Sequence, residues 1–328
     1  MKTIEEQLNL WGRERRPCLF VLDFELQRPL LWPLDEVPQD SVWYNLNGIS
    51  NASEKISASS DFYFHKFPLS FQEFDQKFQK VHRELFAGNS FLTNLTARTR
   101  VETNLSFQEI FQRSEAKYKV WLRLPDDSDV EEIVCFSPEI FVRIQDDFMS
   151  SYPMKGTLDA ALPNAREHLL ADEKERYEHA TIVDLIRNDL AQVTTERWVE
   201  RFRYIDEVQT HDKTLLQVSS EIKGRLPENW QEELGTLLFR LLPAGSITGA
   251  PKPKTVEIIQ QAEAEPRGYY TGIVGIFDGK NLDTGVMIRF LEQTSEGTFF
   301  RSGGGITFRS ESLKEYQELI DKVYVPIW

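Results

Sequence analysis

The last third of the chain reads as a series of strands joined by short turns, and this pattern restricts the fold more than any other. The strand-like runs TGIVGIFDG, TGVMIRFLEQ and TFFRSGGGITF are separated by turn residues at Asp278-Gly279 and at Ser295-Glu296-Gly297. Strands that follow each other so directly pair antiparallel. Helical patterns interrupt the strands at residues 172–190, 229–241, 254–264 and 312–323. The sequence therefore predicts an α+β fold in which antiparallel sheets are covered by helices.

The earlier part of the chain also combines helix and strand patterns. Phe71–Phe86 has the apolar spacing of an amphipathic helix, and the run FLTNLTARTRVE that follows is strand-like. We interpret the polar stretch from Asn45 to Asp61 as a loop and not as a domain boundary, because the short apolar run LFVLDFEL before it would make a poor core alone. The sequence therefore predicts one domain over residues 1–328, with residues 1–70 as its short N-terminal portion.

The charge balance disfavours some classes of partner. With 38 basic and 52 acidic residues the formal net charge is −14, which argues against nonspecific binding to nucleic acid. An anionic substrate would need a local positive site or a bound cation. No run approaches the ~18 apolar residues of a membrane span, and Cys18 and Cys135 lie in apolar runs, as reduced core thiols do. We expect a cytoplasmic protein that binds neither nucleic acid nor membrane.

Two of the helical segments carry acidic residues in the same arrangement. Each begins with a capping-box pattern, at Asp172 and at Ser312. Each also has two glutamates three residues apart, and hence on one face: Glu175 and Glu178 in the first, Glu315 and Glu318 in the second. Capping and a solvated acidic face are one explanation. The other is that Glu178 and Glu318 bind a hard divalent cation, most naturally Mg²⁺, with Glu175 and Glu315 acting through water.

Several residues are candidates for holding an anionic substrate. Lys322 follows on the face of the second glutamate pair. Arg289 lies in the apolar run VMIRFLE, either at an edge or as a buried partner for a carboxylate. Arg267 and Tyr270 precede a strand in RGYYTG. The backbone amides of Gly303-Gly304-Gly305 can approach an anion, or the three glycines form a bend or bulge.

Five blocks of the sequence together resemble the chorismate-utilising enzymes, a family that includes anthranilate, aminodeoxychorismate, isochorismate and salicylate synthases. The blocks are EHATIVDLIRNDLAQV, LLPAGSITGAPKPKTVEIIQQAE, RGYYTGIVGIFDG, IRF and GGGITFRSESLKEYQELIDK. The similarity runs in the family's block order from about Phe71 to the C-terminus. It implies an α+β sandwich of two packed antiparallel sheets flanked by helices, with Mg²⁺ as cofactor and chorismate as substrate.

The resemblance also implies roles for individual residues. Glu178 and Glu318 match the family's metal ligands, and Glu175 and Glu315 match its water-mediated pair. Glu139 matches the acid that protonates the departing C4 hydroxyl. The residues that match the family's substrate-binding positions are Tyr270, Arg289, Gly303, Gly304, Gly305, Lys322, Thr157 and Thr248.

The segment Pro153-Met154-Lys155-Gly156-Thr157, which we interpret as a turn, distinguishes reactions within the family. Aminodeoxychorismate synthases resemble P-x-K-G-T, whereas anthranilate, isochorismate and salicylate synthases resemble P-x-A-G-T. The resemblance therefore implies that Lys155 attacks ring carbon C2 as the C4 hydroxyl leaves, and that ammonia then adds at C4. A lysine that is half neutral at pH 7 needs its pKa lowered from ~10.4 by about three, which costs roughly 4–5 kcal/mol. Burial and a nearby Mg²⁺ would favour this.

The residues at two further positions disfavour water addition and pyruvate elimination, the other reactions of the family. Leu92 stands where isochorismate and salicylate synthases have a lysine that activates water, and a leucine cannot act as a base. Gln217 stands where the family has a histidine that is linked to pyruvate elimination in anthranilate synthases. We expect ammonia to come from solution or from a separate glutamine amidotransferase subunit, and a separate lyase to complete p-aminobenzoate for folate. The alternatives are anthranilate synthase component I and a non-catalytic chorismate-binding protein.

Overall fold

The computed structural model describes residues 3–52, 62–125, 128–171, 173–209 and 214–327. Among these residues the strands form two antiparallel sheets with helices outside, so the predicted fold class is confirmed. The chain divides into two compact units, and the prediction of one domain stays a prediction. Unit 1 comprises Met1–Arg16, Ile140–Ser246 and Asp278–Leu282, and unit 2 comprises Pro17–Glu139, Ile247–Phe277 and Asp283–Trp328.

The described helices and strands follow one another along the whole chain. The helices are α1 (Ile4–Arg13), α2 (Phe71–Phe86), α3 (Phe107–Arg113), α4 (Ala165–Ala171), α5 (Glu173–Leu190), α6 (Leu234–Leu241), α7 (Lys252–Glu263) and α8 (Ser312–Asp321), with 3₁₀ turns at Trp230–Glu233 and Gly245–Ile247. The strands are β1 (Cys18–Leu22), β2 (Leu30–Pro33), β3 (Val42–Leu46), β4 (Ile49–Ser50), β5 (Phe64–Phe67), β6 (Leu92–Thr103), β7 (Tyr118–Arg123), β8 (Val130–Ser137), β9 (Ile140–Gln145), β10 (Phe148–Ser151), β11 (Met154–Asp159), β12 (Glu196–Gln209), β13 (Thr214–Arg225), β14 (Gly249–Ala250), β15 (Ile273–Phe277), β16 (Leu282–Val286), β17 (Phe290–Thr294) and β18 (Gly297–Ile306).

Strand β13 is the centre of the sheet in unit 1. β12 pairs along one edge of β13, while β11 and β10 pair in succession along its other edge, and β9 lies beyond β10. Helix α4 contributes Ala165 and Leu169 to a buried cluster with Leu216 and Val218 of β13. This cluster fixes the part of the sheet that carries Lys155, because Val218 is the pairing partner of that lysine.

Unit 2 has a larger set of strands. Among its described residues they are ordered β14-β6-β18-β17-β8-β7-β3-β4, with β5 also paired to β6, and β16, β15, β1 and β2 are neighbours in that order. One buried cluster includes residues of α2, α7 and α8 together with Leu95, Ala97 and Ile306 of the strands. The helix α8 that carries the second glutamate pair is thus held by the core through Leu319.

Helix α2 has the bounds that the sequence predicts. Ser70 is the N-cap, since its hydroxyl accepts the Glu73 N–H at 3.3 Å and the Glu73 carboxylate accepts the Ser70 N–H at 2.8 Å. The residues buried along its apolar face are Phe74, Phe78, Val81 and Leu85. Their spacing of three or four residues places them on one side, which faces the core.

Other local predictions are wrong. Glu311 is the N-cap of α8 and makes no side-chain cap bond, so Ser312 does not form the expected capping box, and the cap expected at Asp172 lies outside the described residues. The helix predicted at 229–241 begins as a 3₁₀ turn and becomes α-helical at Leu234. Part of the predicted polar loop pairs as the hairpin of β3 and β4. The prediction for the two cysteines is confirmed, since Cys18 and Cys135 are buried and are not joined to another cysteine in a disulfide.

None of the helices in the described residues is both long enough and apolar enough to cross a membrane.

Candidate functional site

Lys155 lies on strand β11 in unit 1 and not on a turn. β11 pairs with β13, so that Lys155 is opposite Val218 and Thr157 is opposite Gln217. Gly156 between them forms a β-bulge with a φ of +76°, which side-chain-bearing residues rarely adopt. The predicted turn is therefore wrong. The glycine of the motif is required because the strand bulges immediately after the lysine.

Helix α5 directs Glu175 and Glu178 toward β11. Glu178 Oε2 lies 2.8 Å from Lys155 Nζ. One turn earlier, Glu175 Oε2 lies 3.2 Å from the position that a Cβ would take on Gly156. The Lys155 side chain is 31% exposed and that of Glu178 is 15% exposed, so the pair is largely withdrawn from water. A carboxylate at this distance favours the charged form of the ammonium group.

His179, next to Glu178, is a buried residue that the sequence interpretation did not single out. Its side chain is 1% exposed, and its Nε2 lies 2.7 Å from Ser220 Oγ on β13. Burial lowers the pKa of His179 to about 4, and the positive charges of Arg203 and Lys155 act in the same direction. The imidazole is therefore neutral near pH 7. Its hydrogen-bond partner is 41 residues away, so no local spacing indicates the pair.

We expect His179 to make folding sensitive to acid. Its pKa is about 4 in the folded protein and near 6.5 in the unfolded chain, so its contribution to stability is complete above pH 6.5 and is lost as the pH falls toward 4. Between pH 6.5 and 4.5 the free energy of unfolding should fall by about 2–3 kcal/mol more in the wild type than in His179→Gln. Urea unfolding of both proteins across this range measures the difference. Parallel pH profiles would contradict the assignment.

In unit 2, helix α8 presents its glutamates to strand β18. Glu318 Oε1 lies 2.7 Å from Lys322 Nζ, which also donates to the carbonyl oxygen of Gly303 at 2.9 Å. A Cβ on Gly304 would lie 3.6 Å from Glu315 Oε2, 3.7 Å from Glu318 Oε1 and 3.8 Å from Lys322 Nζ. The absence of a side chain at Gly304 therefore leaves a space lined by two carboxylates and one ammonium group.

The three consecutive glycines lie in a regular part of β18. Gly303, Gly304 and Gly305 pair with residues 96, 95 and 94 of β6 without a shift of register. The alternative of a bend or bulge is therefore wrong. Pairing with β6 keeps the backbone of this glycine-rich segment extended.

Alanine substitutions at two of these glycines should have different effects. A Cβ on Gly303 would lie 2.6 Å from Thr96 Cγ2 and 2.7 Å from the carbonyl oxygen of Leu95, so Gly303→Ala should lower the free energy of unfolding by about 1–3 kcal/mol. Gly304→Ala makes only ordinary contacts and should remain as stable as the wild type, although its methyl group enters the space between the carboxylates and the ammonium group. Thermal unfolding of the two variants measures the difference, and equal stabilities would contradict the prediction.

Arg289 lies between strands β16 and β17, which corrects its predicted place within a strand. Its φ is +53°, and this left-handed residue divides the apolar run into two strands. Its Nη1 donates to the carbonyl oxygen of Lys322 at 3.1 Å, and its guanidinium lies 4.9 Å from the ring centre of Tyr324. Tyr270 is buried, and burial raises the pKa of its phenol. The Tyr270 hydroxyl therefore stays protonated and can donate a hydrogen bond.

The remaining predicted site residues have less defined surroundings. The Glu139 N–H donates to Ser137 Oγ at 3.1 Å in the turn that follows β8, and its side chain is half-buried. Thr248 is fully buried, and its carbonyl oxygen accepts the Asn94 N–H at 2.9 Å. The side chain of Thr157 lies outside the described part of the chain.

Arg267, a sequence candidate for anion binding, has a structural role. Its side chain is 1% exposed and makes a bidentate ion pair with Glu263, with Nε at 2.9 Å and Nη2 at 2.7 Å from the two carboxylate oxygens. Nη1 also donates to the carbonyl oxygen of Ile247, and Nη2 to that of Asn94. Its charge is thus compensated inside unit 2, so the anion-binding interpretation is wrong.

The carboxylate donors suit Mg²⁺. This ion prefers oxygen ligands, keeps several waters and is usually bound through one or two carboxylates. Each unit offers one pair on a single helix face: Glu175 and Glu178 in unit 1, Glu315 and Glu318 in unit 2. Within the described ranges, no group of three or more His, Cys, Asp or Glu side chains forms a complete metal site. Each pair by itself fits a cation that retains much of its water shell, and Mg²⁺ stays a prediction.

Comparison with known proteins links most of the chain to one family. Residues 34–327 match the chorismate binding enzyme family. An uncharacterized PabA-like protein of Haemophilus influenzae is 49% identical over 328 residues, which cover 100% of this chain and 97% of that protein. Aminodeoxychorismate synthase component 1 of Escherichia coli is 32% identical over 266 residues, which cover 77% of this chain and 56% of that protein.

A solved structure extends the comparison to a second reaction. Anthranilate synthase component I from Streptococcus pneumoniae TIGR4 matches with a TM-score of 0.64 and 25% identity, over 80% of this chain and 58% of that chain. Overall similarity therefore links this chain to enzymes of more than one reaction, and the distinction between these reactions depends on individual residues.

Proposed function

Since the chain belongs to the family of chorismate-binding enzymes, we propose that it is an aminodeoxychorismate synthase component I. It converts chorismate and ammonia to 4-amino-4-deoxychorismate and water. Ammonia comes from solution or from a separate glutamine amidotransferase subunit, and the product serves the synthesis of p-aminobenzoate and folate. The chain itself would be the component that holds and aminates chorismate.

The observation that supports this proposal most strongly is the position of Lys155. The bulge at Gly156 interrupts the regular pairing directly after the lysine, and Glu178 Oε2 lies 2.8 Å from its ammonium nitrogen. A lysine placed in this way can become a nucleophile once the negative charge of Glu178 is engaged by another cation. An alanine, as in the P-x-A-G-T pattern, would leave no nucleophile at this position.

In the proposed reaction Lys155 Nζ, as a neutral amine, forms a bond to C2 of the ring. Both ring double bonds shift, from C1=C2 to C1=C6 and from C5=C6 to C4=C5, as the C4–O bond breaks, and Glu139 gives a proton to the departing oxygen, which leaves as water. Ammonia then forms a bond to C4, both double bonds shift back, and the C2–N bond breaks to release Lys155. The new ammonium group at C4 returns a proton to Glu139, so both residues regain their starting state.

The other predicted residues have proposed roles in binding. Tyr270 and Arg289 bind the enolpyruvyl carboxylate, while Lys322 and the backbone of Gly303-Gly304-Gly305 bind the ring carboxylate; Thr157 and Thr248 complete the substrate contacts. Residues proposed to hold Mg²⁺ are Glu178 and Glu318 directly, and Glu175 and Glu315 through water. When bound, the ion would supply positive charge for the ring carboxylate and for the glutamates.

Leu92 supports ammonia over water as the second nucleophile. Its side chain is 8% exposed, and its Cδ1 lies 3.0 Å from the position that a Cβ would take on Gly305. An apolar side chain in this position cannot take a proton from water. The chain therefore lacks, at this site, the base that water addition requires.

The second candidate is anthranilate synthase component I. The similarity to the Streptococcus pneumoniae enzyme favours it. Lys155 and Gln217 both oppose it, because the first supplies an amine where that reaction has none and the second replaces the histidine linked to pyruvate elimination.

Identification of the product tests the proposal. The purified chain is incubated with chorismate, Mg²⁺ and excess ammonium, and the products are identified by mass spectrometry. We expect 4-amino-4-deoxychorismate without release of pyruvate. Anthranilate with pyruvate would establish the second candidate, and isochorismate would show that neither Lys155 nor Leu92 determines the reaction.

A further inference from the structure

A buried polar contact between His179 and Ser220 joins helix α5 to the sheet of unit 1. The Ser220 hydroxyl lies 2.7 Å from His179 Nε2 and also accepts the Arg203 N–H at 2.9 Å. The Ser220 N–H donates to the carbonyl oxygen of Pro153 at 3.0 Å. Ser220 thus connects α5, strand β12 and the residue that precedes β11.

A bulge in β12 is built around the same serine. Phe202 and Arg203 together oppose Ser220 in the register with β13, and Arg203 has a φ of +49°. The bulge directs the Phe202 ring to within 6.0 Å of the His179 ring, in an edge-on arrangement. Bulges of this kind re-aim side chains next to functional sites. Here the bulge packs the Phe202 ring against the imidazole, and its Arg203 N–H is a second hydrogen-bond partner of Ser220 Oγ.

The same bulge fixes helix α4. Arg203 Nη1 donates to the carbonyl oxygen of Leu170 at 3.1 Å, and Nη2 to that of Leu169 at 3.3 Å. These are carbonyls of the last helical turn, which a guanidinium group stabilises. The contact around Ser220 therefore ties both helices of this region to the sheet.

We propose that His179 is a positioning residue for Lys155, which it controls through Glu178; this inference rests on the proposed function. Glu178 and His179 are neighbours on α5, so the bond from His179 to β13 sets the distance from Glu178 to β11. Lys155 lies on β11 opposite Val218, two residues before Ser220. His179 thus bonds to the sheet through Ser220, and Glu178, the preceding residue of α5, contacts the proposed nucleophile Lys155.

Only Nε2 of the His179 ring makes the contact that positions helix α5 on the sheet. Its Nδ1 is buried without a hydrogen-bond partner among the described residues, whereas Nε2 bonds Ser220. The amide of a glutamine reaches the position of Nε2, and the shorter asparagine reaches only that of Nδ1. His179→Gln should therefore preserve the positioning, and His179→Asn should lose it although both variants introduce a neutral amide.

The test measures amination kinetics, the reactivity of Lys155 and thermal unfolding for the full chain. His179→Asn and Ser220→Ala should each lower kcat roughly 10–100-fold with the KM for chorismate within about twofold, because misplacement of a reacting group mainly affects the chemical step. His179→Gln should stay within about threefold of the wild type. The double variant His179→Asn/Ser220→Ala should be no slower than the slower single variant, since the two residues act through one contact.

Labelling of Lys155 by a small acylating reagent, followed by peptide mass spectrometry, gives a readout that does not depend on the reaction. Labelling relative to Lys280 should change several-fold in His179→Asn and Ser220→Ala and remain unchanged in His179→Gln. A wild-type product other than 4-amino-4-deoxychorismate would remove the proposed function, and the labelling pattern would still decide the positioning. Unchanged labelling in every variant, or losses of kcat that occur only where the protein is partly unfolded at the assay temperature, would overturn the inference.

Discussion

Replacement of Lys155 by alanine is expected to lower the rate of chorismate amination roughly 10²–10⁴-fold, the range found when a side chain that reacts or transfers a proton is removed. The physical reason is that no other amine replaces it in β11, so C2 would have no covalent partner. The fold should persist, because the Lys155 side chain is partly exposed and the strand is held by backbone pairing with β13.

Lys280→Ala is a suitable control, since that lysine also lies in unit 1 and makes an exposed ion pair with Asp146 at 3.2 Å. It should keep wild-type activity. In addition, wild-type protein mixed with chorismate in the absence of ammonia should carry, on the Lys155 peptide, the mass of chorismate less one water. Wild-type amination rates in Lys155→Ala, with no adduct in the wild type, would exclude the covalent route.

The second large effect is expected when either proposed metal ligand loses its charge. Glu178→Gln and Glu318→Gln keep the shape of the side chain but replace a carboxylate by a neutral amide. Because charge stabilisation by a bound cation contributes several kcal/mol to such reactions, activity at fixed Mg²⁺ should fall roughly 10²–10³-fold. The two variants should also need higher Mg²⁺ concentrations for half-maximal activity.

Two glutamates on the same helices serve as matched controls. Glu173 begins α5, and Glu311 precedes α8 as its N-cap without making a cap bond. Glu173→Gln and Glu311→Gln remove the same charge from the same helices and should leave the Mg²⁺ dependence unchanged. Calorimetric titration with Mg²⁺ and an assay in the presence of a chelator complete the test. Full activity of the wild type in the chelator would show that the glutamates have another role.

Prediction from periodicity succeeded best where a segment obeys one local rule. α2 has both a capping box and a regular apolar face, and its bounds match the prediction. The prediction failed at Arg289, where an apolar run that reads as one strand is divided by a positive φ. A positive φ at a residue with a side chain costs free energy, which the pairing of the flanking strands offsets. No local sequence pattern indicates that strand pairing will offset this cost.

In the candidate site, too, the sequence predicted some features and not others. The acidic pairs and Lys155 could be identified from spacing and from the family resemblance, because residues three apart share a helix face whatever the tertiary structure is. The contacts of Glu178 with Lys155 and of Lys322 with Gly303 needed the structure. Each joins a helix to a strand that is distant in the chain.

By itself, then, the sequence determined the α+β class through periodicity. It indicated the family and the residues proposed for chemistry through the resemblance of its blocks and motifs, which are also local properties. Only the tertiary structure showed that Lys155 precedes a bulge, that the glycines of β18 are a regular strand, and that His179 bonds Ser220. These features depend on which strands and helices become neighbours. That choice is made by burial of the whole core and not by any segment alone.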